Sequence, residues 1–156
     1  MPKVVIIYDS VTGNTELMAK AVAEGASTAK AEVELHKVGT RFPMSLLNEA
    51  GALVIGSPTK YGNVTHEMKA FLESMTELKA PKKLRLKGLI GGVFGSYTYD
   101  GGWVVDALAL RMKKLGIRLI PPSYVPLTTR AAWGSISANS RYSNVATWAI
   151  QLLQSS

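Results

Sequence analysis

The 156-residue chain contains no cysteine. That absence removes disulfides, thiolate metal sites and cysteine nucleophiles together, including any phosphatase chemistry that runs through a cysteine in a phosphate loop. Only two histidines, His36 and His66, are present, far apart in sequence and without a metal-ligand pattern. No apolar run approaches membrane-spanning length. Met1-Pro2-Lys3 leads straight into an apolar strand, so neither a signal peptide nor membrane insertion is expected. Internal repeats and low-complexity linkers are also missing. The remaining composition, 47% hydrophobic and 19% charged, is that of an ordered globular protein. A single domain over residues 1–156 in the cytoplasm is the expectation.

Hydrophobic periodicity gives the element order. Val4 to Tyr8 is an unbroken apolar run, suited to a central parallel strand covered on both faces. Leu17, Met18, Ala21, Val22 and Gly25 then form a helical stripe. Glu32 to His36 alternates polar and apolar, which places that strand at an edge. Residues 41–48 connect onward, with one helical turn after Pro43. Ala52 to Ile55 is a second buried strand, and Val64, Met68, Phe71, Leu72 and Met75 mark the clearest helix. Leu89 to Phe94 is a third apolar strand. A helix carrying Val104, Val105, Leu108, Met112 and Leu115 stops at Gly116. Ile117 to Tyr124 holds a last strand, shortened by Pro121-Pro122. Residues 125–139 look irregular, and a final helix buries Val145, Trp148, Ala149, Leu152 and Leu153. Strand and helix alternate five times. This predicts an α/β, three-layer, doubly wound fold with a five-stranded parallel sheet of order 2-1-3-4-5.

The chain is organised around Ser10-Val11-Thr12-Gly13-Asn14-Thr15, which joins the first strand to the first helix. Hydroxyls, an amide, backbone N–H groups and a helix N-terminus together make an anion site. The loop has no Lys or Arg, so it suits a phosphate held permanently by neutral donors. It lacks the Gly-Lys-Ser/Thr ending of the Walker loop and two of the three glycines of the dinucleotide fingerprint. An ordinary strand-to-helix turn capped by Thr and Asn would read the same way. In the predicted strand order, residues 57–63 and 95–102 converge on the same crevice. The three loops together bring Tyr61, Tyr97 and Tyr99, with Gly13, Gly62, Gly95, Gly101 and Gly102. Tyrosines offer flat faces to a flat ring, and glycines admit close backbone approach. A phosphate site beside an aromatic slot describes FMN. Asp100 has the simpler role of capping the following helix.

Ser-x-Thr-Gly-Asn-Thr after an apolar strand resembles the phosphate loop of the flavodoxin-like family. Ser57 to Asn63, followed by Met68, Phe71 and Leu72, resembles the second flavin loop of NAD(P)H:quinone oxidoreductases of the tryptophan-repressor-binding-protein type. Phe94-Gly95-Ser96-Tyr97, with Tyr99 and Gly101, is similar to the third flavin loop of the flavodoxin domain in flavodiiron proteins. The resemblance covers residues 3–120. It implies that Ser10, Val11, Thr12, Gly13, Asn14 and Thr15 hold the phosphate. Pro58, Thr59, Lys60, Tyr61, Gly62 and Asn63 would flank the ring on one side. Ser96, Tyr97, Tyr99, Gly101 and Gly102 would flank it on the other, with Tyr61 and Tyr99 packing on it. No metal and no catalytic side chain is implied. Receiver domains, which share the topology, need an acidic residue ending the third strand, where Ser57-Pro58 stands.

Two residues bear on the kind of redox chemistry. Gly62 stands where the resemblance places a peptide that flips to donate to the reduced ring nitrogen, which is carrier behaviour. A cation at Lys60 would favour two-electron transfer from NAD(P)H to quinones, unless it points into solvent. An FMN-dependent electron carrier serving a redox partner protein is the favoured reading. The quinone oxidoreductase is the alternative, and a nonredox binding module is a third. Net charge is +7. The fold sends Lys3, Lys30, Lys79, Lys82, Lys83, Arg85, Lys87, Lys113, Lys114 and Arg118 to the face opposite the ring. The run from Lys79 to Lys87 has no interleaved aromatic and no recognition motif, which argues against nucleic acid.

Overall fold

The computed structural model describes residues 3–79, 81, 83–97, 103–128 and 154. In chain order these form β1 (Lys3–Tyr8), α1 (Asn14–Thr28), β2 (Glu32–Lys37), a 3-10 helix (Met44–Glu49), β3 (Ala52–Pro58), α2 (His66–Lys79), β4 (Ile90–Tyr97), α3 (Trp103–Lys114) and β5 (Arg118–Thr128). All strand pairs are parallel, and the sheet order is β2-β1-β3-β4-β5. This is the expected doubly wound order. The second crossover is made by the 3-10 helix, the single turn read after Pro43, in place of a full α-helix. The final helix expected around Trp148 lies outside the described residues.

Alternate side chains of each central strand enter opposite layers, as pleating requires. Val5, Ile7, Leu53, Ile55 and Val93 point to one side, where α2, α3 and Leu47 cover them. Val4, Ile6, Tyr8, Val54 and Phe94 point to the other, against Met18, Ala19, Val22 and Ala26 of α1. Two covered faces explain why β1, β3 and β4 read as continuous apolar runs. In β2 every side chain from Val33 to His36 is half-buried, so the alternation read from sequence marks an edge without a cleanly dry face. In α1 the expected stripe holds at Met18, Ala21, Val22 and Gly25, whereas Leu17 is exposed and Thr15, Ala19 and Ala26 are buried as well, so the buried face carries mostly small residues.

The strand tips are built on a close fit. Tyr8, Gly56 and Phe94 form one cross-strand row. A Cβ on Gly56 would stand 2.1 Å from the Phe94 ring, so glycine lets that ring lie across the sheet, fully buried. Burial of such a side chain contributes about 1.5–3 kcal/mol.

The last strand corrects the sequence reading. β5 does not end at Tyr124, and residues 125–128 are not irregular. Pairing with β4 resumes at Val93↔Tyr124 and runs to Tyr97↔Thr128, with a register shift after Gly91↔Leu119. The shift spans the Pro121-Pro122 pair. Proline lacks the N–H that a ladder needs, so the excess residues are absorbed there as a bulge and pairing continues beyond.

Candidate functional site

The carboxyl tips of β1, β3 and β4 bring residues 10–15, 57–63 and 95–97 to one end of the sheet. Asp9 follows β1, and its N–H donates to the Gly56 carbonyl at 3.0 Å. The buried Asp9 carboxylate accepts from the Ser10 N–H at 2.8 Å, which turns the chain sharply. Gly13 precedes α1 with φ 95, a left-handed conformation that glycine adopts without strain. No side chain caps the helix from the Gly13 position. Instead the Ser10 hydroxyl accepts from the N–H groups of Gly13 at 3.1 Å and Glu16 at 3.2 Å. With its oxygen engaged twice as acceptor, that hydroxyl keeps its proton for an outside acceptor. This arrangement suits an anion, and its donors are neutral throughout. Val11 and Thr12 are exposed, and Thr12 Oγ1 accepts from Asn14 Nδ2 at 3.1 Å.

Thr15 is placed differently from its loop neighbours. It is 1% exposed, and its hydroxyl lies 2.8 Å from that of Ser96, itself 2% exposed. A buried hydroxyl pair therefore joins the start of α1 to the end of β4. Sequence patterns put Thr15 at the phosphate and Ser96 at the ring. Their direct bond makes those two regions adjacent.

The second loop is tied to the same strand. The Thr59 N–H donates to the Ser96 carbonyl at 2.8 Å. Thr59 Oγ1 is buried with no hydrogen-bond partner among the described residues, and a buried hydroxyl without one is costly. Lys60 and Asn63 exchange both backbone bonds, at 2.8 and 3.0 Å. Between them Tyr61 has φ 51 and Gly62 φ 76. Two positive φ values in a two-residue connection define a type I′ turn. Glycine suits that geometry, whereas a tyrosine there is strained by about 1–2 kcal/mol. Tyr61 is also 99% exposed. A strained, wholly exposed aromatic at the strand tips suits a flat ligand. Pro58 ends β3 and pairs with Ser96.

Several expectations change. Ser57, Pro58, Gly95, Ser96 and Tyr97 belong to strands, so the loops are shorter than predicted. Gly95 is no ligand-approach glycine. It is buried, and a Cβ on it would come within 2.5 Å of Val104 Cγ1, so it serves the contact between β4 and α3. Tyr97 is half-buried at the end of β4. Tyr99, Gly101, Gly102 and Asp100 lie outside the described residues. Sequence reasoning passed over Thr65. It is 1% exposed, its N–H donates to the Ser57 hydroxyl at 3.3 Å, and its Oγ1 accepts from the Met68 N–H at 3.3 Å. It caps α2, a role its place three residues before Met68 signals. Tyr8 was read only as apolar. Its hydroxyl donates to Glu16 Oε1 at 3.0 Å. Burial first, then that bond and the Glu16 charge, hold the phenol above its ordinary pKa. Among the described residues no group of side chains has the composition of a metal site, and no helix is long and apolar enough to cross a membrane.

Comparison with known proteins bears on the family and the fold. The flavodoxin family profile matches residues 6–128. The chain is 36% identical over 115 residues to NAD(P)H dehydrogenase (quinone) 3 of Rhizobium meliloti, an alignment covering 62% of this chain and 53% of that protein. The chain spans between 53% and 62% of the length of the curated relatives it matches. Among solved structures, a flavodoxin from the domain Archaea superposes with a TM-score of 0.81 at 23% identity, over 97% of this chain and 96% of that one. A flavodoxin, WrbA-like protein from Agrobacterium tumefaciens gives a TM-score of 0.75 at 22% identity over 100% of both chains. At those identities the structures speak for the fold.

Proposed function

The chain belongs to the flavodoxin family, and from that premise we propose that it is an electron carrier built on non-covalently bound FMN, folded as one domain over residues 1–156. Family membership implies a flavin. The residues at the strand tips fit one: a neutral donor set for a phosphate, an unpartnered Thr59 hydroxyl and an uncovered Tyr61 ring. The observation that carries the reading is Tyr61, strained and 99% exposed in the turn that follows Thr59. A flat ring laid on that side chain would cover it.

In this reading the segment Ser10 to Thr15 holds the phosphate through hydroxyl and backbone donors, aided by the α1 N-terminus. Pro58 to Asn63 lies on one side of the ring. Ser96 and Tyr97, with Tyr99, Gly101 and Gly102, take the other. When bound, the flavin supplies the redox chemistry, accepting and releasing electrons one or two at a time. The chain contributes position and hydrogen bonds. The family resemblance implies that the peptide between Tyr61 and Gly62 rotates, and glycine, free to take either sign of φ, lowers the cost at the second position. That rotation presents or withdraws one N–H donor at the ring edge. Lys60, exposed at the base of the turn, holds a positive charge nearby.

A second reading, NAD(P)H:quinone oxidoreductase, is favoured by the names of the relatives at 36% and 31% identity. Loading the purified protein with FMN and titrating it anaerobically separates the two. Two resolved one-electron steps with slow NADH-dependent quinone turnover are expected of the carrier. One two-electron step with rapid turnover establishes the enzyme. Failure to bind FMN in excess overturns both.

A further inference from the structure

The charge of this protein is unevenly distributed. After Glu77 the only acidic residues are Asp100 and Asp106, against eleven lysines and arginines. Such asymmetry between the halves of a chain points to an anionic partner. The fold gathers much of that surplus at one place. Lys79 ends α2, Lys113 and Lys114 end α3, and Arg118 begins β5. Between α2 and β4, exposed Lys83, Arg85 and Lys87 alternate with buried Leu84 and Leu86. This segment is pinned. Asn48 donates to the Lys83 carbonyl at 3.1 Å and accepts from the Arg85 N–H at 2.8 Å, and Gly88 N–H reaches the Gly116 carbonyl at 3.1 Å. A Cβ on Gly116 would lie 3.8 Å from Lys79 Nζ and 3.6 Å from Lys87 Cα, so the three cationic segments adjoin. Among the described residues none of these seven cations makes an ion pair. The ion pairs there belong to Lys3, with Glu32, Glu34 and Glu49, and to His36 with Glu34.

We propose that this pole docks the protein reversibly on an anionic lipid surface. Strand starts and helix ends of a parallel layered fold lie roughly in one plane, so the cations face a flat partner together. Leu110, 55% exposed, stands one turn before Lys113 and Lys114 on the same face of α3. An apolar side chain among flexible cations suits the lipid interface, where lysine stems lie along apolar surface and their heads meet phosphate. The described cations enclose no aromatic platform for stacking bases. At the same pole, Lys3 is offset by three glutamates near β1 and β2, so the β4–β5 side meets the leaflet. The strand-tip crevice then faces away from the membrane. This goes beyond the FMN reading and does not depend on it.

The test is co-sedimentation of the full chain with vesicles of phosphatidylcholine alone or mixed with phosphatidylglycerol, at low and physiological salt. Binding is expected to the mixed vesicles and to weaken with salt. Each cation near an anionic leaflet strengthens association about fivefold, so K83E/R85E/K114E, which reverses three of them, loses at least about a hundredfold. The control K20E/K37E/K69E changes net charge equally at exposed positions elsewhere and keeps most of the binding. Leu110→Ser gives a smaller loss, and apo and FMN-loaded proteins bind alike. Equal losses in both triple variants, with urea midpoints unchanged, would reduce the effect to net charge and overturn the proposal. Indifference to phosphatidylglycerol, or tighter binding to a DNA duplex than to the vesicles at the same salt, overturns it as well.

Discussion

The two ends of the sheet are made of different chemistry. At the strand tips, hydroxyls are buried and bonded to one another, two consecutive residues take left-handed backbone, and a tyrosine stands fully in water. At the strand starts, the Asn48 side chain holds an alternating apolar and cationic segment, and the cationic groups are exposed. Thr15 and Ser96 at the tips are held by buried partners, whereas among the described residues the cations at the β4–β5 foot make no ion pair. Single substitutions should therefore register strongly at the tips. At the foot only several changes together should have an effect.

The largest effect is expected under the tips. Gly56→Ala forces a methyl into the Phe94 ring and should cost about 3 kcal/mol, the upper end for overpacking, read from urea unfolding. Adding Phe94→Leu should recover part of that loss. If Gly56→Ala were neutral, the tight fit beneath the crevice would be refuted. Next, Thr15→Val strips Ser96 of its buried partner, a loss of about 2 kcal/mol. The double variant Thr15→Val/Ser96→Ala should lose less than the two single losses combined, because no hydroxyl is then stranded.

Tyr61→Gly sharpens the contrast by changing sign. Relief of the left-handed strain should stabilise the free protein by about 1 kcal/mol, while FMN affinity falls severalfold; thermal unfolding and flavin fluorescence read the two. Tyr8 gives a smaller, pH-dependent signal. Its folded pKa is raised above the ordinary value of 10.0, so its contribution is present below that pH and is lost as pH rises through the higher folded value. Tyr8→Phe should remove that alkaline loss, visible in stability measured against pH. The smallest effect belongs to the foot. Lys83→Ala should change stability by no more than about 0.5 kcal/mol, and a larger change would erase the distinction between the ends.

The element order from β1 to β5, the edge position of β2 and the strand sequence across the sheet were readable from periodicity, since strands covered on both faces write themselves as apolar runs. The loop between β1 and α1 was readable because its polar residues are consecutive in sequence. What escaped depends on contacts between distant residues. Nothing near Gly95 signals that Val104 fills the space above it. Nothing near Thr15 signals Ser96, eighty-one positions away. β5 was cut short because Pro121-Pro122 reads locally as an ending, and only the register with β4 shows the strand resuming. Tyr61 was chosen for its ring, yet its left-handed backbone could be found only in the folded turn.

The interruption of β5 has a consequence for crowded solution. β5 lies at the border of the sheet and carries Pro121, Pro122 and Pro126. An open border of matched amides invites a neighbouring chain to add itself strand by strand, the route to ordered aggregates. Missing donors and a broken register leave such a neighbour no continuous row to copy, so the same feature that hides this strand from sequence reading helps keep each molecule to itself.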